Sequence, residues 1–504
     1  MTDLYDLVVV GGGINGAGIA RDAAGRGLSV YLCERDDLAS HTSSWSSKLI
    51  HGGLRYLEHK EFRLVRESLI EREVLLQAAP HLIRPLRFVL PYHKGLRPAW
   101  MLRTGLFLYD HLGGRKLLPP TKTLNLSNSP YGAPLKDSFT KGFEYSDCFA
   151  DDARLVAVNA MDARAKGADI HTRTRMTAGR RAEGVWQLTM QPESGAPYEV
   201  RARAVVNAAG PWVTDLFDGL APLKPRKKIR LVKGSHIVVT PRFADDRAYI
   251  LQSADNRIIF AIPYLNGATL IGTTDVAYQG DPAEVAISDD ETDYLLALAN
   301  EYFAAPCTRD DILSTYSGVR PLYDDLSRED VSTVTRDYAF DIDDADGGAP
   351  LLSVYGGKLT TYRKLAEHAL AELSSFLPHA GAPWTSSASL PGGEVRFEDF
   401  PAFRDEMSAR YAFMKAPNLD RLISAYGTML PDILRDASSL EGLGEHLGCG
   451  LYEAELDHLR RSEFVTRADD VLFRRTKLGL QDTDGKLRAK LSQRFASQNE
   501  GVDA

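Results

Sequence analysis

One short run constrains this chain more than any other: Gly-Gly-Gly-Ile-Asn-Gly-Ala-Gly, from Gly11 to Gly18. Before it, Leu4 to Val10 reads as a buried parallel strand that ends in Val8, Val9 and Val10. After it, a helix is expected from about Ile14 to Gly27, then a second strand, Leu-Ser-Val-Tyr-Leu-Cys-Glu, closing on Glu34. Gly11, Gly13 and Gly16 fall on the G-x-G-x-x-G spacing. Gly11 permits the tight turn, Gly13 lets a diphosphate approach the backbone, and Gly16 lets helix and strand pack closely. The first N–H groups of the helix, with its dipole, then hold the diphosphate. Glu34 is placed to accept hydrogen bonds from a ribose. Strand, turn, helix, second strand and terminal acid occur in register, which a chance glycine-rich turn does not provide.

This dinucleotide fingerprint occurs once. Enzymes that pass electrons between a flavin and NAD(P) on a two-nucleotide scaffold usually carry two, so a single bound flavin with another electron acceptor is favoured. A chain of 504 residues has room for two or three domains and a large core. Its net charge of −8 argues against a general nucleic-acid binder. Cys33, Cys148, Cys307 and Cys449 are dispersed and form no CxxC pair, so no disulfide framework, metal site or dithiol centre is expected. The N-terminus carries acids where a signal peptide has bases. No apolar run approaches the roughly 18 residues of a membrane span. Contact with a membrane would be at its surface.

Residues 40–57, Ser-His-Thr-Ser-Ser-Trp-Ser-Ser-Lys-Leu-Ile-His-Gly-Gly-Leu-Arg-Tyr-Leu, are too polar for a core strand. They suit a loop around a phosphate or flavin ring, with Ser46, Ser47 and Gly53 giving close backbone approach beside Lys48, His51, Gly52 and Arg55. An amphipathic helix is expected over 60–79. From Arg84 to Lys116 seven basic residues face one acid, Asp110, among Phe88, Leu90, Trp100, Met101, Leu102, Leu106, Phe107 and Leu108. A basic segment with exposed Trp and Leu suits anionic lipid headgroups. Val205–Trp212 predicts a buried strand returning to the nucleotide domain, and strands near 248–252, 257–263 and 269–273 predict a mainly antiparallel sheet. Leu351–Leu365 predicts strand, Gly356-Gly357 turn and a helix beginning at Gly-Gly-Lys, whose N–H groups face an anion. Beyond Pro391 the pattern is helical, at about 398–413, 450–463, 466–476 and 485–497.

Together these pieces resemble the FAD-dependent glycerol-3-phosphate dehydrogenases, most closely the bacterial aerobic, membrane-associated branch. The matching stretches include GGGINGAGIARDAAGRGLSV, TSSWSSKLIHGGLRYLE, VVNAAGPW, VKGSHIVV, IGTTD, YSGVRPL and LLSVYGGKLTTYRKL, with a weaker match at RADDVLFRRT. The resemblance implies an α/β architecture: a glutathione-reductase-like, Rossmann-type FAD domain (1–85, 145–215 and 335–390), a mainly antiparallel substrate cap (86–144 and 216–334) and a helical C-terminal domain (391–504). It implies non-covalent FAD, oxidation of glycerol 3-phosphate, a ubiquinone acceptor, and peripheral attachment at the cytoplasmic face of the inner membrane. A homodimer is compatible with it; a nucleic-acid partner is not expected. The positions it implies for FAD are Gly11, Gly13, Ile14, Asn15, Gly16, Glu34, Arg35, Ser44, Ser46, Ser47, Lys48, His51, Gly52, Gly53, Ala209, Gly210, Gly357, Lys358, Leu359 and Thr360.

A phosphorylated alcohol needs fixed cations and donors for its dianion. Arg55, Arg320 and Lys358 are the expected cations, with Tyr56, Thr273 and Thr274 as hydroxyl donors. A base near neutrality must take the hydroxyl proton, so a histidine is sought: His236 first, His51 second. Arg320 would alternatively polarise the alkoxide without acting as a base. The competing readings are an oxidase that reduces O2, a catalytically silent membrane-associated flavoprotein, and an amine or amino-acid oxidase on the same scaffold.

Overall fold

The computed structural model describes residues 4–57, 61–220, 222–253, 257–324 and 337–499. The opening motif folds as its spacing requires: strand β1 (Leu4–Val10), helix α1 (Ile14–Gly25) and strand β2 (Val30–Cys33). β1 lies inside a parallel sheet, with β2 on one side and the strand Tyr198–Asn207 on the other, Val10 opposite both Cys33 and Asn207. Strands Leu351–Tyr355 and Asp169–His171 extend the parallel ladder, and Ala339–Asp343 closes one edge antiparallel. Leu7, Val8 and Val9 are wholly buried, as a strand covered on both faces must be. α1 fits against the helices Asp152–Ala165 and Tyr362–Glu372 because its glycines leave room. A Cβ on Gly18 would stand 2.7 Å from the Tyr362 ring, and one on Gly25 would stand 2.1 Å from Trp384.

The second sheet is mainly antiparallel. Its spine is Lys228–Val239, paired along its length with Ile312–Asp324 and, on the other side, with Thr269–Gly272. Ile258–Pro263, Ala248–Gln252, Ile83–Tyr92 and Lys141–Ala150 complete it, and the only parallel pairing among these is Ala248–Gln252 with Ile83–Tyr92. The three strands expected between 248 and 273 thus form within a residue or two of their predicted ends. The 84–116 segment divides differently from expectation. Phe88 and Leu90 are core residues because Ile83–Tyr92 is an interior strand, and Leu106 is buried on the inner face of the helix Ala99–Leu112. The exposed apolar surface comes from the helix Ala99–Leu112, where Trp100 is 69% and Phe107 52% exposed beside Met101 and Leu108.

The C-terminal unit has its own core, built on Leu422, Ile423, Leu456, Leu459, Val471 and Leu472. Helices Phe400–Arg410, Glu453–Ser462 and Lys486–Asn499 match predicted ones, and Ala416–Tyr426 is an additional helix. Residues 466–476 do not form the regular helix expected; Asp470–Arg475 is one wide π-helical turn.

Candidate active site

A cavity of about 710 Å³ runs between the two sheets, within the size range of cofactor sites. One end is made by the glycine turn. Gly11 adopts φ 115°, a conformation that favours glycine, and a Cβ there would meet Ala208 O at 2.5 Å. A Cβ on Gly16 would meet Gly11 O at 1.9 Å, so Gly16 supports the turn from behind without lining the cavity. No side chain caps α1 at Gly13, and Ile14 N donates to Ser43 Oγ at 3.0 Å. Glu34 closes β2 with its carboxylate accepting from Gly12 N at 2.7 Å and Asp36 N at 2.8 Å. Burial pushes that carboxyl up, against the two N–H bonds that hold it down. Arg35 lies 3.8 Å over the Trp212 ring, and His41 meets the same ring edge-on. His41 also binds Asp36 and holds its carboxyl at about 2.

The middle of the cavity fits a dinucleotide chemically. Asn15 Oδ1 is buried with no hydrogen-bond partner among the described residues, while its Nδ2 donates to Gly356 O at 3.2 Å. An unpaired buried acceptor beside an open helix N-terminus suits a ligand that brings donors and a diphosphate. Ile14, Asn15, Glu34, Arg35, Ser46 and Ser47 all line the wall, and so do Ala209, Gly210 and the loop Gly357–Thr360. The helix after that loop begins at Tyr362, not at Lys358. The Gly-Gly-Lys stretch is therefore an entering turn, with Thr361 N bonded to Lys358 O at 3.2 Å.

A second set of polar residues lines the same cavity. Arg320 NH2 donates to Thr273 Oγ1 at 2.9 Å, and its NH1 pairs with Asp275. Space for that guanidinium comes from Gly234, whose cross-strand partner is Gly318, both on the wall. Lys358 Nζ stands 4.1 Å over the Tyr56 ring. His51 lies on the wall, its N–H bonded to Thr360 Oγ1 at 3.1 Å, with Phe260 nearby. Arg320, Thr273, Tyr56, Lys358 and His51 are thus brought together from four distant segments.

Several expected residues stand elsewhere. Thr274 faces away: neighbours on an extended strand point to opposite sides, and its hydroxyl serves Ser235 N and Glu291 beneath the sheet. Lys48 turns inward to Asp152 at 2.9 Å and to Ser44 O, and Ser44 is buried with it. Gly52 and Gly53 lie behind the wall; Gly52 N donates to Tyr109 OH at 2.8 Å, which in turn donates to Asp147. His236 is 1% exposed and does not line the cavity. Its Nε2 lies 2.9 Å from the hydroxyl of Ser47, which does, and its ring stacks on Tyr316. Burial, then the charges of Arg320 and Lys48, hold it well below the usual histidine range. The side chain of Arg55 lies outside the described residues. Trp45, Trp212 and Phe260 line the cavity without having been singled out, since a lone aromatic carries no sequence signal separating wall from core.

Comparison with known proteins agrees with this geometry. Residues 6–363 match the family described as FAD dependent oxidoreductase, and 384–492 match the C-terminal domain of alpha-glycerophosphate oxidase. A glycerol-3-phosphate dehydrogenase of Pseudomonas aeruginosa is 55% identical over 95% of this chain and 93% of its own. A D-erythritol 1-phosphate dehydrogenase of Brucella abortus is 52% identical over 98% of both. The structure of a glycerol-3-phosphate dehydrogenase from Bacillus halodurans complexed with FAD superposes with TM-score 0.78 at 31% identity, covering 98% of this chain and 91% of that one. The cofactor of this oxidoreductase is FAD.

Proposed function

The chain belongs to the FAD-dependent glycerol-3-phosphate dehydrogenases, and from that premise we propose that it oxidises sn-glycerol 3-phosphate to dihydroxyacetone phosphate and delivers the electrons to ubiquinone at a membrane surface. The observation that carries the substrate reading is that Arg320, Thr273, Lys358 and Tyr56 line the same cavity as the glycine turn. Arg320 reads a phosphate or alkoxide oxygen with a fixed fork, pre-set by Asp275 and Thr273. When bound, FAD accepts the hydride lost from the substrate carbon. The chain's own task is to orient the alcohol, exclude water and remove the hydroxyl proton.

Two routes exist for that proton. His51 stands on the wall, where it would act on the substrate directly. His236 would reach it through the Ser47 hydroxyl; burial and the nearby Arg320 and Lys48 keep its ring neutral but also weaken it as a base, which favours His51. Exposed Trp100, Met101, Phe107 and Leu108, with Lys94, Arg97 and Arg103 exposed around them, support the membrane surface, and the quinone acceptor is inferred from family membership alone. That surface suits an anionic interface. No helix among the described residues is long and apolar enough to cross a membrane.

A second reading, a longer phosphorylated polyol as substrate, is favoured by the close likeness to the D-erythritol 1-phosphate dehydrogenase. Anaerobic mixing of the holoenzyme with each polyol phosphate, while flavin absorbance is followed, decides between them. Glycerol 3-phosphate should bleach the flavin, and a quinone analogue should restore its colour faster than O2 does. Bleaching by erythritol phosphate alone would overturn the substrate assignment. Faster recovery with O2 and release of peroxide would make the protein an oxidase.

A further inference from the structure

The RADDVLFRRT stretch takes no part in the site, yet its cations reach into the wall. The loop 36–48 supplies one side of the cavity through Ala39, Ser40, Thr42, Ser43, Trp45 and Ser47. Leu38 and Ala39 anchor its start in the core, but from Ser40 to Ser47 it is built mostly of small polar residues. Ordering a backbone costs about 1–2 kcal/mol per residue. Unless something else holds the loop, a ligand that needs it ordered bears that cost and binds more weakly.

A segment of the C-terminal unit grips the loop directly at Asp37 and, at the other end, reaches the Asp151–Asp152 pair that fixes Lys48. Asp37, 1% exposed, receives Arg475 through a two-pronged pairing at 2.8 and 2.9 Å and Arg474 Nε at 2.5 Å. Arg475 also donates to Glu463 O, and Glu463 pairs with the buried Arg154 of the nucleotide domain. At the other end Lys48 is fixed by Asp152, while Lys477 pairs with Asp151 and lies 3.9 Å from Asp152. The wide turn Asp470–Arg475 aims Arg474 and Arg475 at one carboxylate, and Lys477, in a left-handed conformation, reaches the second anchor.

We propose that the segment Asp470–Lys477 is a positioning element for FAD: a clip by which the C-terminal unit keeps the 36–48 loop ordered against the cofactor cavity. None of its cations lines the cavity. The clip acts through the loop, and it rests on the cavity holding FAD, whichever polyol phosphate is oxidised.

The test is titration of full-length apoprotein with FAD, read by quenching of flavin fluorescence. Arg474→Gln combined with Lys477→Gln should raise the FAD Kd by about tenfold or more, the size of one lost loop anchor. At saturating FAD, KM for the substrate should stay near that of the parent, because Arg320 and Thr273 are untouched. Arg475 is left intact, since removing it would strand a buried Asp37 and Glu463. A folded double variant with a Kd within twofold of the parent would overturn the proposal, even if its melting temperature fell. If the double variant does not fold by near-UV circular dichroism, Arg474→Lys is read instead: about a threefold weaker Kd supports the clip, and an unchanged Kd overturns it. A parent chain that took up no FAD would overturn the cofactor assignment and this proposal with it.

Discussion

Gly234→Ala is the substitution that tests the proposed substrate role of Arg320 and Thr273. A Cβ at Gly234 would stand 2.2 Å from Arg320 NH2 and 2.6 Å from Thr273 Oγ1, whereas ordinary contact begins near 3.4 Å. The guanidinium must therefore retreat by about 1.2 Å, far enough to break a hydrogen bond whose optimum is narrow. The strand itself is not strained, because Gly234 lies within Lys228–Val239 and is absent from the positive-φ glycines. A charge-assisted hydrogen bond lost on the substrate is worth about 1.5–3 kcal/mol, which converts to a fall in kcat/KM of roughly 10- to 100-fold. Steady-state kinetics over a range of glycerol 3-phosphate concentrations measures it. FAD titration of the same variant should give the parent's Kd, since Gly234 lies in the second sheet and the Gly11–Glu34 turn in the first. A kcat/KM within threefold of the parent would refute the placement of Arg320 and Thr273 on the substrate. A large loss of FAD affinity would refute the separation of substrate and cofactor roles between the two sheets.

The proton route is tested by His51→Asn, His236→Asn and Ser47→Ala, each read as the rate of anaerobic flavin bleaching. A general base costs about 10²- to 10⁴-fold; matching losses for Ser47 and His236 mark a relay, and a loss below tenfold with flavin bound removes His236. Burial pushes the Glu463 carboxyl up, but Arg154 and His458 outweigh it and hold it at about 2. Its stabilising contribution is present above the unfolded value of about 4.3 and is lost as pH falls from there toward 2. Melting curves at pH 7, 5 and 3 should show a steep acid fall that Glu463→Gln flattens; equal slopes would refute the pairing as its source. Trp100→Asp with Phe107→Asp should weaken cosedimentation with anionic vesicles by about 100-fold or more, since each of the two rings contributes roughly 1.5–3 kcal/mol when buried. Unchanged partitioning would move the membrane face elsewhere.

The nucleotide half of the protein was legible because its signals are local. Gly11, Gly13 and Gly16 carry their reasons in their spacing, and Glu34 follows from the length of one helix and one strand. Short, nearly continuous apolar runs were enough for the strands between 248 and 273. Which face of a strand or loop meets the cavity was not legible. Thr273 and Thr274 read alike in sequence, yet only one faces the site. Lys48 and His236 carry the right chemistry but turn inward, to Asp152 and to the Ser47 hydroxyl. The role of Asp37 depends on Arg474 and Arg475, more than four hundred residues away. Sequence by itself determined the cofactor class and the elements that grip it, since a backbone turn is a property of neighbouring residues. Tertiary structure alone decided which cations share a cavity and which tie the C-terminal unit to the flavin loop, since burial and charge pairing depend on segments that meet only when the chain has folded.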